Sequence, residues 1–377
     1  MKTNTKIVIV GAGLAGLTAA IHLSKLGYSI IIIEKNSFPK HKVCGEYISN
    51  EVLPYLDWLD INPSLLKSTS IDSVVFSTAK GKTISAPLPM GGFGVSRYAL
   101  DFYLYQKAMD QQCKVIHETV SYLHYENDAF TINLTNNETI TADIVIGAFG
   151  KRSNLDQQLE RSFMQKKSPW LAVKAHYKGD YPNNLVGLYN FKGGYCGVSK
   201  VENNTINICY LADYETFKQY KNIEEYQTKV VCQNPFLQSI FKNVTPVFEK
   251  PLTISQISFD EKKPVDNHVL MIGDSAGLIH PLCGNGMAMA IRSAKIVSEL
   301  VDDYSKGMIK TRKELEIAYT NHWNRNFKNR LRTGRILGAI LQRQNLSEYL
   351  IRILMMFPSL FSGIIRRTHG KNIVVTT

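Results

Sequence analysis

The sequence predicts an α/β fold built on a Rossmann-like domain that is discontinuous in the chain. Three observations carry this. Four β-branched residues, Ile7 to Val10, run directly into Gly11-Ala12-Gly13-Leu14-Ala15-Gly16. A second apolar segment, residues 28–33, closes on Glu34, 18 residues beyond Gly16. A third, residues 268–272, enters Gly273-Asp274-Ser275-Ala276-Gly277 and then Pro281-Leu282-Cys283-Gly284-Asn285-Gly286, about 260 residues after the first glycine motif.

The first motif is a strand–turn–helix unit. Gly11 permits the tight turn, Gly13 lets backbone approach a pyrophosphate, and Gly16 lets the following helix pack close to the sheet. Residues 14–26 form that helix, whose free N–H groups favour phosphate, and Gly27 stops it. Residues 28–33 then read as a buried parallel strand. The acid at its end, Glu34, with Lys35 beside it, stands where a carboxylate binds ribose hydroxyls. After a loop over residues 36–47, a short helix is expected at 50–60 and a small hairpin at 71–78 and 83–86. An amphipathic helix follows at 98–112, and short strands run up to Gly147. Beyond Pro169 the pattern changes to successive strands at 171–177, 185–191, 194–201 and 205–211. Helices at 214–233 and 235–241 and a strand at 253–259 complete this part. The last apolar strand returns to the second glycine motif, and residues 287–301 follow it as a helix. The cofactor domain is thus expected over residues 1–68, 94–165 and 263–310. An inserted antiparallel-sheet α+β substrate domain occupies 69–93 and 166–262, and a C-terminal helical segment occupies 311–377.

With 377 residues, 44% of them hydrophobic, there is ample material for a core. Six cysteines without any Cys-x-x-Cys pairing fit a reduced, cytoplasmic setting. The N-terminal apolar run is too short for a signal peptide. No His or Cys set has metal spacing, so no metal site is expected. There is no second dinucleotide motif for a separate nicotinamide domain, no redox cysteine pair and no expected nucleophile elbow. The net charge of +12 is concentrated at the C-terminal end: residues 323–371 hold ten Lys/Arg against the single acid Glu348. Short amphipathic helices with basic flanks are expected there, either docked on the cofactor domain or attached peripherally to an anionic membrane surface. No motif or aromatic interleaving accompanies the charge to suggest nucleic acid.

In order, these residues read GxGxxG, acid, Cys44-Gly45-Glu46, Arg97-x-x-x-Asp101, Gly147-Ala-x-Gly-x-x-Ser153, then Gly273-Asp274 and Pro281-x-x-Gly-x-Gly286. This order resembles the FAD-dependent superfamily of para-hydroxybenzoate hydroxylase, and within it the geranylgeranyl reductases. The resemblance covers roughly residues 1–160 and 265–300. It implies that Gly11, Gly13, Ala15, Gly16, Glu34 and Lys35 hold the ADP half of FAD and that Asp274, after Gly273, holds the ribityl chain. It further implies that Pro281, Gly284, Asn285 and Gly286 set a helix N-terminus near the flavin ring, with Cys44, Gly45 and Arg97 against the cofactor. A helix N-terminus there stabilises negative charge on reduced flavin.

Two departures are visible. Phe149-Gly150 stands where many hydroxylases have Asp-Gly, and Lys151 and Arg152 beside it can contact phosphate. The reductase signature Tyr-x-Trp-x-Phe-Pro is replaced by Tyr195-Cys196-Gly197-Val198-Ser199-Lys200. The leading expectation is an enzyme that takes hydride from NADPH or NADH and hydroxylates an apolar aromatic, polyketide or lipid-like substrate. The alternative is reduction of an isoprenoid or lipid double bond, with Cys44 or Tyr195 as the catalytic proton donor. A third reading is a flavin-binding partner protein without turnover. His176 and His280 are read as structural.

Overall fold

The computed structural model describes residues 5–375. Its first layer is a six-stranded sheet with Ile7–Val10 near the centre, parallel to Ile30–Ile33 on one side and to Ile144–Gly147 on the other. Lys114–Ile116 extends the first side and Val269–Met271 the second, also in parallel, and Val265–Asp266 closes the edge in antiparallel orientation. Ile7, Val8, Ile9 and the facing Ile144 to Ile146 are buried, as strands covered on both faces must be. The helices Leu14–Lys25 and Gly286–Ser305 pack together over this sheet, each following one of the two glycine motifs. Strands separated by more than a hundred residues therefore lie side by side, and both glycine turns emerge at the same end of one sheet.

The second layer is a nine-stranded sheet. Its centre is the antiparallel run Trp170–Gly179, Ile206–Asp213, Gly194–Lys200 and Leu185–Phe191. Two features depart from the sequence-based expectation. The sheet is not wholly antiparallel, because Leu185–Phe191 lies parallel to Thr69–Ser77. The expected small hairpin is longer, Thr69–Ser77 with Thr83–Gly94, and its far end pairs with Tyr47–Ser49, which the sequence reading placed between a loop and a helix. Glycines at 91, 92 and 94 hid the end of the long strand. The expected helix over 214–233 is three pieces, Tyr214–Phe217, Ile223–Lys229 and a 3-10 turn Val231–Gln233. Asn222 restarts the chain as an N-cap, accepting the Glu225 N–H.

The C-terminal segment holds more helix than the two short pieces expected. Arg312–Trp323 passes through a π-turn, Asn324–Lys328, into Asn329–Gln342; then come Gln344–Met356 and Pro358–Thr368. Phe357 leaves the helical region, with φ −131° and ψ 74°, ahead of Pro358, which opens the last helix. Not all the basic residues face solvent. Glu51, fully buried, pairs with Arg330 at 3.4 Å and Arg292 at 3.6 Å and accepts the Gly370 N–H. Its carbonyl accepts the Ile373 N–H at 2.8 Å. Gly370 and Ile373 are thereby anchored to the cofactor domain. Among the described residues no single helix is long and apolar enough to cross a membrane.

Candidate active site

One cavity of about 730 Å³ runs between the two layers. At one end its wall is Gly11, Gly13, Leu14, Ala15, Glu34 and Lys35, at its middle Cys44, Gly45, Arg97, Gly273 and Asp274. Pro281, Gly284, Gly286 and Met287 continue the middle, and the far end lies between the large sheet and the C-terminal helices.

The cofactor end is shaped for an anion. Gly11 has φ +103°, a conformation L-residues avoid, and a Cβ there would strike the Ala148 carbonyl. A Cβ on Gly16 would strike the Gly11 carbonyl, so helix and strand meet too closely for any side chain. Gly13 differs: a Cβ would find room, with the Lys42 ammonium at 3.6 Å and an Arg97 guanidinium nitrogen at 3.7 Å as its nearest neighbours. The space over Gly13 thus has two cations around it. The helix Leu14–Lys25 that starts there has no side-chain cap and no acid in its first turn. The same is true of Gly286–Ser305 at the other glycine motif. Two uncapped N-termini, each a partial positive charge with unpaired N–H groups, converge on one cavity.

Glu34 holds the glycine loop rather than standing free. Its carboxylate accepts the Ala12 N–H at 2.9 Å and both the backbone and side-chain N–H of Asn36, at 3.0 and 2.6 Å. Arg97 grips Asp101 with two bonds of 2.7 Å, and Lys42 reaches the same carboxylate at 3.1 Å. Burial opposes ionisation of Asp101, but Arg97 and Lys42 outweigh it and hold its carboxyl below the usual range.

The Cys44-Gly45-Glu46 loop is clamped from the sheet. Glu46, fully buried, binds the Lys174 ammonium, His176 Nε2 at 2.7 Å and the Arg97 N–H at 2.8 Å. Burial alone would raise its pKa; the bond to His176 and the charge on Lys174 reverse this and hold it below the carboxylate norm. The Asn207 amide donates to the Cys44 and Gly45 carbonyls at 3.2 and 2.9 Å. Lys174 and His176 are two apart on one strand, and their cross-strand partners are Cys209 and Asn207. One face of the sheet therefore supplies the whole clamp. Cys44 Sγ accepts the Glu46 N–H at 3.5 Å and lies 3.5 Å from Met287 Sδ, against the start of the second motif's helix.

Further along, Tyr195 lines the cavity from the strand beside Leu211. Burial raises its phenol well above the ordinary pKa, so it stays protonated. Two predicted site residues are not on the wall: Gly16, pressed against the Gly11 carbonyl, and Asn285, which is buried with its amide oxygen accepting from Arg330 at 3.2 Å. Lys151 donates to the Val43 carbonyl at 3.0 Å, and Arg152 is exposed at the rim. Residues 273–277 also spell Gly-x-Ser-x-Gly, contrary to the expectation that no nucleophile elbow occurs. Ser275 is nevertheless buried and spends its hydroxyl on Gly150, accepting its N–H at 2.8 Å and donating to its carbonyl at 3.3 Å, so it is a strut between two loops. Lys262 is a second strut, donating to the carbonyls of Lys151 and Asp274 at 3.0 and 2.8 Å; burial lowers its pKa to about 8.

Asp101 is the acid of the Arg97-x-x-x-Asp101 motif, and Lys42 opens the segment that runs into Cys44-Gly45-Glu46, but Lys174, Asn207 and Lys262 belong to no such motif. For Lys174 with His176 a signal existed: two titratable residues two apart in an otherwise apolar strand share one face. His280 is buried between Trp170, Phe259 and Tyr195 and the helix carrying Gly338, and neither ring nitrogen finds a partner among the described residues. Burial lowers its pKa to about 4. The unfolded chain therefore binds a proton that the native state refuses between pH 6.5 and about 4, and stability falls on acidification through that window. The lowered pKa is worth about 3 kcal/mol at its lower edge. Thermal melts of wild type should drop more between pH 6.5 and 4.5 than those of His280→Gln; parallel curves would contradict the assignment.

A discontinuous Rossmann-like domain, with a separate sheet closing over its glycine turns, defines a flavoprotein fold. The chain belongs to the FAD-binding domain family, whose model matches residues 4–300. It is 24% identical over 329 residues to conditioned medium factor receptor 1 of Dictyostelium discoideum, a match covering 78% of this chain and 62% of that protein. It is 24% identical over 392 residues to a digeranylgeranylglycerophospholipid reductase of Methanocaldococcus jannaschii, covering 94% of this chain and 96% of the reductase. Among solved structures, a flavin-dependent brominase superposes with a TM-score of 0.80 at 17% identity, covering 97% of this chain and 93% of the brominase. The cradle fits FAD: the wall has room over Gly13, cations beside it and uncapped helix N-termini at both motifs.

Proposed function

We propose that the protein is an FAD-dependent reductase of carbon–carbon double bonds in a long apolar, isoprenoid-type chain. The observation that carries this reading is the far arm of the cavity. Neither the large sheet strands nor the C-terminal helices contribute an Asp, Glu, Lys or Arg to its wall among the described residues. Val74, Phe76, Leu88, Val186, Leu188 and Leu354 are typical of it. Such a wall rewards burial of aliphatic surface at about 25 cal/mol per Å² and offers a polar substrate little to bind. The match to the archaeal reductase over nearly its whole length supports the same choice. This reverses the order expected from sequence, where the missing Trp and Phe-Pro of the reductase signature favoured hydroxylation.

FAD would be held by the Gly11–Gly16 turn, Glu34, Lys42, Arg97 and Asp274, and when reduced it supplies hydride equivalents; the electron donor is read as NADPH or NADH, with exposed Lys35, Lys40 and Arg152 available to its phosphates. The chain's own task is to hold the alkene dry and to deliver one proton to the carbon that does not receive hydride. Tyr195 and Cys44 are the two X–H groups of the cavity wall read for this, and we assign the proton to the Tyr195 hydroxyl. Tyr195→Phe is expected to leave flavin reduction by the donor unchanged and to slow alkene reduction by about 10²-fold or more. An unchanged rate in this variant, with loss in Cys44→Ser, would move the role to Cys44.

Hydroxylation is the second reading, and His369 favours it. Its Nδ1 contacts the Ile365 carbonyl at 3.0 Å, while Nε2 is buried without a partner among the described residues. Burial lowers its pKa, so the neutral ring can accept a phenolic proton. Product mass with simultaneous oxygen uptake separates the readings. Reduction adds two hydrogens without substrate-linked oxygen uptake, and hydroxylation adds one oxygen atom with it. A product that incorporates halide would instead place the activity beside the brominase.

A further inference from the structure

The helices Gln344–Met356 and Pro358–Thr368 have two faces with opposite character. On the first, Ser347, Leu350, Ile351 and Leu354 follow the i, i+3, i+4, i+7 spacing and are turned inward; on the second, Phe361, Ile364, Ile365 and Thr368 do the same. Most of these residues line the apolar arm, so the helix pair is its roof. The outer faces carry Tyr349, Arg352, Met356, Leu360, Arg366 and Arg367, all exposed. The two helices, over Leu346–Met356 and Ser359–Thr368, meet at 114°. At that bend Met355, Met356 and Phe357 stand in solvent at 50%, 73% and 55% exposure, three consecutive large side chains that form an apolar tip. Around it the only acid of residues 323–371, Glu348, is half-buried and paired with Lys80 at 3.4 Å.

We infer that this bent helix pair is a docking surface for the anionic leaflet of a lipid bilayer, with the Met355-Met356-Phe357 tip inserted among the acyl chains. Charge complementarity selects this occupant: an apolar tip with exposed Arg352 one helical turn from it, and exposed Arg366 and Arg367 at the other end of the last helix, matches apolar tails beneath anionic headgroups. A second copy of this chain would set the same arginines against each other. Because the inner faces of the same helices roof the arm, a lipid-borne chain reaches the cavity without crossing water. The inference deepens the apolar-chain reading of the site, and its test is independent of turnover.

The test uses FAD-loaded full-length protein and sedimentation with vesicles of phosphatidylcholine alone or with phosphatidylglycerol. Wild type is expected to pellet with the anionic vesicles and about tenfold less with the neutral ones. Met356→Asp/Phe357→Asp is expected to lose anionic-vesicle pelleting by about tenfold while keeping its FAD content and melting temperature. As a second readout, the fluorescence of Phe357→Trp is expected to be quenched by brominated lipid, whereas that of wild type, whose Trp58, Trp170 and Trp323 lie elsewhere, is not. Absence of pelleting, equal pelleting of the tip variant, or unquenched fluorescence in Phe357→Trp would overturn the inference. So would a dimer that the tip variant converts to monomer, since the tip would then be a protein interface. None of these outcomes bears on double-bond reduction, which is measured on dispersed substrate.

Discussion

Gly13→Asp is expected to fold normally and to emerge from purification without FAD. The other two glycines of the motif cannot test this cleanly, since any side chain at Gly11 or Gly16 collides with backbone. Gly13 has open space above it, with Lys42 and Arg97 as nearest neighbours. An aspartate there places its carboxylate between the two cations, where the pyrophosphate of FAD would otherwise lie, and at an uncapped helix N-terminus. The fold gains a favourable contact while the cofactor loses its place. Loss of one or two charge-assisted hydrogen bonds, each worth about 1.5–3 kcal/mol, implies an affinity loss of at least about a hundredfold. Titration of apoprotein with FAD, alongside a melt, reads both effects. Retained affinity at unchanged stability would show that the phosphates bind elsewhere.

Lys174→Met is expected to be among the most destabilising single changes in the molecule. Glu46 is completely buried and ionised because Lys174, His176 and the Arg97 N–H surround it. Removing the ammonium leaves a buried carboxylate short of its cation, at a cost of about 3–5 kcal/mol. The double variant Lys174→Met/Glu46→Gln, which removes both charges and keeps a hydrogen bond for His176, should recover more than half of this. The sign with pH follows from the lowered Glu46 pKa. The clamp contributes stability above the carboxylate's unfolded pKa, and that contribution is lost as pH falls through the folded value. Wild type should therefore lose more stability on acidification than the double variant. Because Cys44 and Gly45 immediately precede Glu46, the single variant should also weaken FAD binding. Destabilisation below about 1 kcal/mol would mean that Glu46 is neutral in the native state.

The two glycine motifs, Glu34 and the apolar strands between them were legible because their chemistry is local. A turn, a helix start and a buried strand each have a signature a few residues long, and their order carried the family. The clamp was not legible, since it joins Glu46 to Lys174 across 128 residues, and no periodicity reports that distance. Tyr47–Ser49 was missed as a strand because three residues carry too little pattern, and pairing with the distant Gly92–Gly94 end of its partner is what orders it. The Ser275 elbow shows the opposite failure: the pattern is present in sequence, but burial and its bonds to Gly150 give it another role. The substrate arm lay furthest from sequence reading. Its wall draws on the hairpin, the central sheet and the C-terminal helices, and only their packing reveals that it is largely apolar and without Asp, Glu, Lys or Arg among the described residues.

The most direct test of the account is an anaerobic single turnover. Purified holoprotein is reduced under argon, mixed with a geranylgeranyl-chain lipid in detergent, and followed by its visible flavin absorption. The account predicts that the oxidised spectrum returns without oxygen and that the lipid gains two hydrogens for each flavin reoxidised. A flavin that stays reduced until air is admitted, with oxygen then appearing in the product, would contradict double-bond reduction and establish hydroxylation in its place.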